Sequence, residues 1–233
     1  MLQRSTLVGF ALLAVLGIIP TRAHTQDEQG RFDAGAAKSV AAMMDRDPIL
    51  GAVYGQCPAD LFRRRTRILA SQRSERGSEN SCHTRIQQCF EACTAGDGES
   101  CFRLARSFQG NSEQVGARHY ETLFALACAA GKGYGCTNRA AGIRNGDYAD
   151  DPFRHRPEAE KESCQFRSFT VACREGDSWG CAMLGRSYHS GEGTRRSLPK
   201  ARGAYAKTCR LAPDFESCDF ARENLQQMRS ANR

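Results

Sequence analysis

Apolar side chains recur at helical spacing in four successive stretches, and each stretch ends at a cysteine. The four read QQCFEAC, LFALAC, SFTVAC and AYAKTC, and they end at Cys93, Cys128, Cys173 and Cys209. The positions four residues before these cysteines hold Cys89, Phe124, Phe169 and Tyr205. Because residues four apart lie on one face of a helix, each stretch predicts a helix with an apolar core face.

A second stretch begins at the next cysteine of each unit. These stretches read CFRLARSF, CTNRAAGI, CAMLGRSY and CDFARENL, and they start at Cys101, Cys136, Cys181 and Cys218. The seventh residue after that cysteine is large and is predicted to be core: Phe108, Ile143, Tyr188 and Leu225. In three units a glycine lies third after the first cysteine, at Gly96, Gly131 and Gly176. Since glycine readily adopts the left-handed conformation found just past helix ends, each unit is predicted to be a helical hairpin.

The hairpin recurs with a near-regular period. The first cysteines of successive units are separated by 35, 45 and 36 residues, which is typical of stacked helical hairpins. The longer step contains residues 145–155, where Asp147, Asp150 and Asp151 lack the alternation of a calcium loop and are predicted to lie in a polar insertion. In the fourth unit Ala212 and Pro213 replace the turn glycine, as expected of a terminal repeat. We therefore predict an all-α solenoid with four repeats over residues 81–233.

Residues 1–23 have the pattern of a secretory signal peptide. Arg4 precedes an apolar run of 13 residues from Leu7 to Ile19, and Ala23 precedes a polar stretch. The run is shorter than the roughly 20 residues that a membrane-spanning helix needs. We therefore predict cleavage after Ala23, export to the periplasm or the medium, and no stable membrane insertion afterwards.

Residues 24–80 are predicted to form a helical cap and a polar connection. The alanine-rich residues 32–46 favour a helix, which Pro48 ends. A second helix is predicted from Cys57, and its Arg63, Arg64, Arg65 and Arg67 lie away from the apolar stripe. We interpret these arginines as a solvated face, with an anionic partner as the alternative. Residues 71–80 form the connection.

All twelve cysteines lie beyond the predicted signal peptide. An even number in an exported chain indicates disulfides. Packed helices lie about 8 to 10 Å apart, whereas a disulfide needs Cα atoms within roughly 7 Å, so only cysteines beside a turn can pair across a hairpin. This predicts four local pairs: Cys93–Cys101, Cys128–Cys136, Cys173–Cys181 and Cys209–Cys218. The three possible pairings of Cys57, Cys82, Cys89 and Cys164 stay open.

The net charge and the sequence motifs give few indications of a catalytic, metal or nucleic-acid-binding site. The formal charge of +7 becomes +5 (7 − 2) when Arg4 and Arg22 leave with the signal peptide, which is mild and does not indicate nucleic-acid binding. The sequence contains no CxxC, and its five histidines are dispersed without an HExxH pair. We expect neither a metal nor a cofactor.

The third unit carries a recognisable motif. Residues 172–209, from ACREGDSWGCAMLGRSY to SGEGTRRSLPKARGAYAKTC, resemble the Sel-one-like repeat in its disulfide-rich form, known from Helicobacter cysteine-rich proteins. In the second unit Arg139 occupies the usual leucine position. The resemblance implies a right-handed all-α superhelix related to the tetratricopeptide fold. It also implies that proteins or peptides bind on a concave surface.

The same resemblance brings an enzymatic alternative, because some cysteine-rich members are described as penicillin-binding proteins or β-lactamases. Ser197 and Lys200 spell SxxK, in which the serine is a nucleophile and the lysine helps to activate it. Residues 78–80 match S-x-N, but the KTG motif is missing. Ser197 also fits a helix N-cap within the repeat pattern. An interaction scaffold is therefore the leading interpretation.

The predicted groove follows from the repeat geometry. First helices of successive units line the concave side of such a solenoid, so their exposed residues form one surface. Next to the core positions lie Arg118, Tyr120, Gln165 and Arg202. Arginine and tyrosine are enriched among residues that dominate binding energy. We predict that these four residues contact a protein or peptide partner.

Overall fold

The computed structural model describes residues 31–62, 81–146 and 148–230. Helices within these ranges, in chain order, are α1 (Ala34–Arg46), α2 (Pro48–Tyr54), α3 (Pro58–Leu61), α4 (Ser81–Thr84), α5 (Ile86–Thr94), α6 (Gly98–Gln109), α7 (Ala117–Ala129), α8 (Gly133–Asn145), α9 (Glu158–Arg174), α10 (Ser178–Ser190), α11 (Leu198–Leu211) and α12 (Glu216–Ser230). These ranges contain no strand. Several predicted features lie outside the described residues: the signal peptide, the polar connection 71–80, Asp147, and Arg63, Arg64, Arg65 and Arg67.

Four helical hairpins stack in chain order. We call them unit one (α4–α6), unit two (α7 and α8), unit three (α9 and α10) and unit four (α11 and α12). Within each unit the two main helices pack on each other, and the second helix also packs on the first helix of the next unit. The fold is therefore an all-α solenoid of stacked hairpins, as the period of the cysteines predicts.

The turn glycines have the conformation that their position predicts. Gly96, Gly131 and Gly176 have φ angles of 97°, 87° and 89°. The N–H of the residue after each glycine donates to a carbonyl five residues earlier, as from Asp97 to Ala92 at 2.9 Å. This bond satisfies a carbonyl that the end of the helix leaves without a partner. In unit four Ala212 has φ −148°, so its turn is built without a left-handed residue.

The core lies between the helices of each hairpin and its neighbours. Phe124, Phe169 and Tyr205 on the first helices are all at most 2% exposed. On the second helices Phe108 and Ile143 are buried. Tyr188 and Leu225 are partly buried against clusters in units three and four. The large side chains that the helical spacing predicts to be core are therefore buried or partly buried in the structure.

Six disulfides include all twelve cysteines, and none is free. Four join the cysteine pairs that flank the hairpin turns, Cys93–Cys101, Cys128–Cys136, Cys173–Cys181 and Cys209–Cys218, with Cα separations of 4.3 to 4.6 Å. Cys82 and Cys89 bridge the break at Arg85 between α4 and α5. The sixth bond joins Cys57 to Cys164, which lie 107 residues apart in the sequence.

Candidate functional site

The amino-terminal segment (residues 32–62) lies along the first helices of the first three units. Helix α1 packs on α5, α2 packs on α7, and α3 packs on both α7 and α9. The first-helix face that the sequence predicts to be an open groove is therefore covered over units one to three by the chain's own segment.

Apolar contacts hold the first part of this segment. Val40, Met44 and Leu50 are at most 7% exposed. They share one buried cluster with residues of units one and two, which include Phe90 and Leu123. Since burial of a large aliphatic side chain contributes about 1.5 to 3 kcal/mol, these contacts supply much of the attachment.

Polar and covalent contacts fix the rest of the segment. Asp45 lies 3.1 Å from the His119 ring and 4.0 Å from the Arg118 guanidinium on α7. Asp60 accepts hydrogen bonds from both terminal nitrogens of Arg167 on α9. Cys57 forms a disulfide with Cys164 on α9. One turn further along α9, the hydroxyl oxygen of Ser168 accepts a hydrogen bond from the backbone N–H of Ala59 at 3.2 Å. Acidic residues of the segment thus match cations on the first helices.

Two of the four predicted groove residues are not available for a partner. Tyr120 is 3% exposed and packs edge-on against Phe124 and Tyr148, in the same cluster as α1. Gln165 is 5% exposed and follows the disulfide-bonded Cys164. The prediction that these two side chains are exposed is wrong, because the amino-terminal segment packs on the helices that carry them. Arg118 is partly exposed beside Asp45, and Arg202 is exposed on α11.

A buried charge cluster joins the segment to unit two. Arg139 is fully buried on α8, and one terminal nitrogen donates to Glu121 at 3.2 Å and to Asp151 at 2.6 Å. The other donates to the Tyr54 carbonyl at 3.0 Å and to Asp151 at 3.1 Å. The guanidinium also lies 4.7 Å from the centre of the Tyr54 ring. Arg139 therefore connects α2, α7, α8 and the insertion after α8.

This cluster also accounts for one aspartate of the insertion. Asp151 is 3% exposed, pairs with Arg139, and accepts the backbone N–H of Phe153 at 2.8 Å. No group of three or more histidine, cysteine, aspartate or glutamate side chains placed for a metal occurs in the described ranges. Asp151 is thus a structural ion-pair partner inside an insertion that the sequence predicts to be polar.

Glu121 is the additional acid of the cluster. Asp151 faces both terminal nitrogens of Arg139, whereas Glu121 faces one of them. Burial raises the pKa of Glu121 to about 7, against the opposing effect of the Arg139 charge. A Cβ on Gly142 would lie 2.4 Å from the Glu121 carboxylate, so position 142 has no room for a side chain.

The raised pKa of Glu121 predicts a pH-dependent stability. The native state binds this proton more tightly than the unfolded chain, so the associated stability is complete at acidic pH and is lost as the pH rises through 7. The substitution Glu121→Gln keeps the shape of the side chain and removes its ionisable carboxyl group. We expect the unfolding free energy of the parent protein to fall by up to about 3 kcal/mol between pH 5 and pH 8, and that of Glu121→Gln to fall much less.

Urea unfolding of both proteins at the two pH values measures this difference. Glu223→Gln changes an exposed glutamate on α12 and is the matched control. It should retain the pH dependence of the parent. Parallel pH profiles for the parent and Glu121→Gln would show that Glu121 stays ionised in the folded state at neutral pH.

The residues of the enzymatic alternative do not form a nucleophile and base pair. Ser197 lies at the N-cap of α11, and its side chain makes no capping hydrogen bond. The Lys200 ammonium lies 5.4 Å from the centre of the Tyr188 ring. Within the described part of the chain no hydrogen bond joins Ser197 to Lys200. The S-x-N match at residues 78–80 lies outside the described residues.

Two cavities border the solenoid. One of about 350 Å³ lies beside the Cys57–Cys164 bond, and its arginines are already paired, Arg156 with Glu160 at 2.6 Å and Arg167 with Asp60. The other, of about 320 Å³, lies among the turns of units two to four. In the first cavity the paired arginines leave no free charge for a ligand. Among the described helices none is long and apolar enough to cross a bilayer.

Comparisons with known proteins give structural matches. The sequence matches no protein-family model and no curated protein. The structure is similar to a crystal structure of a Sel1 repeat protein from Oxalobacter formigenes, with a TM-score of 0.49 and 19% identity, over 61% of this chain and 97% of that one. It is also similar to Helicobacter pylori cysteine rich protein B, with a TM-score of 0.43 and 22% identity, over 61% of this chain and 96% of that one. One is named as a Sel1 repeat protein and the other as a cysteine rich protein, the two kinds of protein that the third unit resembles, and this chain is similar to both.

Proposed function

We propose that this chain is an exported Sel-one-like repeat scaffold that binds a protein or peptide partner on the face of its first helices. The observation that carries the proposal is the packing of the amino-terminal segment on this face. On units one to three this face holds a length of polypeptide through apolar burial, hydrogen bonds and ion pairs. A surface with these properties is suited to bind a segment of another protein on unit four, where residues 32–62 of the amino-terminal segment do not pack.

The cysteine chemistry supports the proposed export. All twelve cysteines are in disulfides, and such bonds persist in oxidising compartments, which include the periplasm and the extracellular medium. The proposal includes removal of residues 1–23 as a signal peptide. The amino-terminal segment and the four repeats then make up the mature scaffold.

The first helix of unit four is the open part of the face. Helix α11 packs on α10 and α12, whereas the amino-terminal segment packs on α5, α7 and α9. Arg202, which the sequence predicts to contact a partner, is exposed on this helix. Gly203 beside it has no atom within 4 Å of the position that a Cβ would take. A side chain introduced at Gly203 therefore projects into free space on the proposed face.

Site-specific photo-cross-linking tests the proposal. A photoreactive amino acid at Gly203 should capture a defined partner from an envelope fraction, and excess unlabelled protein should compete it away. The same amino acid at Gln226, exposed on the second helix α12, is the matched control and should capture little. Equal capture from both positions would contradict a first-helix binding face. Turnover of a chromogenic β-lactam that Ser197→Ala abolishes would instead establish a hydrolase.

A further inference from the structure

The repeat makes positions on α9 and α11 equivalent. Aligning Cys173 with Cys209 shifts the numbering by 36 residues. On α9 the amino-terminal segment contacts three aligned positions: Cys164 bonds Cys57, Arg167 pairs with Asp60, and the Arg174 guanidinium lies 5.7 Å from the Phe62 ring. The equivalent residues of α11 are Lys200, Gly203 and Arg210. The surface that seats the segment on unit three thus continues onto unit four.

On unit four the described residues leave this surface uncovered. We call it the α11 face and define it by Lys200, Arg202, Gly203, Ala206 and Arg210, all of which are exposed. Lys200 and Arg210 lie ten residues apart, so the face is about 15 Å long. The space above Gly203 lets a polypeptide backbone approach the helix closely.

The α11 face lies in a strongly basic stretch. Six cations and no acid occur between Gly193 and Pro213: Arg195, Arg196, Lys200, Arg202, Lys207 and Arg210. None of the six forms an ion pair with another described residue. On α7 and α9, by contrast, Arg118 and Arg167 pair with acids of the amino-terminal segment. Position 203, which is equivalent to Arg167, is a glycine, but unit four has other exposed cations that pair with no acid among the described residues.

We propose that the α11 face binds an acidic peptide segment of a partner protein. This inference rests on the proposed scaffold function and specifies the chemistry of the partner. The segment extends the course of residues 32–62 onto unit four, with its backbone over Gly203. Its carboxylates pair with Lys200 and Arg210, the two cations at positions equivalent to segment contacts of α9.

The composition of the face favours a peptide over other anions. Its exposed residues include no aromatic ring on which a nucleic-acid base could stack. Leu211, 42% exposed at the end of α11, is the single large apolar side chain beside the face among the described residues of this helix, which is too little apolar surface to enter a bilayer. The chain's own segment on the equivalent face of α9 supplies a template of the right kind, since it is polypeptide with an acid opposite a basic residue.

Fluorescence anisotropy tests the proposal with a labelled synthetic peptide that carries aspartates three and four positions apart. The variant Lys200→Glu/Arg210→Glu reverses two charges of the face. The matched control, Arg222→Glu/Arg229→Glu, makes the same change in net charge on the exposed side of α12. We expect the face variant to weaken binding of the acidic peptide by at least about tenfold and the control by less than about twofold. A lysine-bearing version of the peptide should bind the face variant better than the parent, which shows that the variant still folds.

Several outcomes would overturn the proposal. Equal losses in the two variants would mean that net charge alone attracts the peptide. Binding of single-stranded DNA or of anionic-lipid vesicles that depends on Lys200 and Arg210, without peptide binding, would assign the face to those ligands. Capture of a basic or neutral partner from Gly203 would leave the scaffold function in place and remove only the acidic partner.

Discussion

Replacing Arg139 by leucine lowers the unfolding free energy at neutral pH by about 3 to 5 kcal/mol, because it leaves Asp151 buried without its counter-ion and Glu121 without its hydrogen-bond donor. The variant restores the residue type that is usual at this position of the repeat, so propensity and apolar volume favour it. The electrostatic loss dominates, since both carboxylates are at most 3% exposed. Urea unfolding at pH 7 measures the difference.

Two comparisons separate the charge effect from the loss of packing. Arg144→Leu removes a partly exposed arginine of the same helix, which pairs with Glu192 at 3.3 Å, and should cost less than about 1 kcal/mol. Adding Glu121→Gln and Asp151→Asn to Arg139→Leu replaces both buried acids with neutral amides and should recover part of the loss. An Arg139→Leu protein as stable as the parent would mean that the cluster is not held in its buried arrangement.

Removing the Cys57–Cys164 bond by replacing both cysteines with serine should cost more stability than removing a hairpin bond. The chain-entropy model gives about 5 kcal/mol for a loop of 107 residues and about 2.5 kcal/mol for Cys173–Cys181, whose cysteines are 8 residues apart. Three local bridges inside the long loop shorten its free length, but the cost depends only on the logarithm of length. Thermal unfolding of the two double variants compares them directly.

Hydrogen exchange shows where the stability is lost. In Cys57→Ser/Cys164→Ser, residues 32–62 should exchange faster while α10 and α12 keep their protection, because the removed bond attaches the segment and not the hairpins. In Cys173→Ser/Cys181→Ser the loss of protection should centre on unit three. Unchanged exchange of residues 32–62 in the first variant would show that the apolar and ionic contacts alone fix the segment.

The repeat could be predicted from the sequence because its determinants are local. The spacing of Cys173 and Cys181 and the glycine at 176 specify a helix, a turn and a second helix within a few residues. Their bond follows from the turn, since only positions beside it are close enough for a disulfide. The apolar residue four positions before each first cysteine likewise identifies the core.

The position of the amino-terminal segment on the first helices could not be predicted in this way. Helical periodicity identifies which residues of a helix are apolar but not which distant segment will cover them, and Cys57 had three candidate partners. The sequence therefore predicts Tyr120 and Gln165 as exposed groove residues, although they are buried. Arg139 was the available signal, because an arginine in a core position requires a buried acid or carbonyl nearby.

The order in which the cysteines are synthesised conflicts with the bonds of the folded protein. Cys57 is made first, and Cys82, Cys89, Cys93, Cys101, Cys128 and Cys136 all follow before its native partner Cys164. Oxidation of each cysteine with the next one made would join Cys57 to Cys82 and would shift every later pair up to Cys164. The native set then requires exchange of at least these bonds, through attack of free thiolates on existing disulfides. Oxidation in the order of synthesis would therefore require disulfide isomerisation as well as an oxidant, and Cys57–Cys164 is the bond that imposes this requirement.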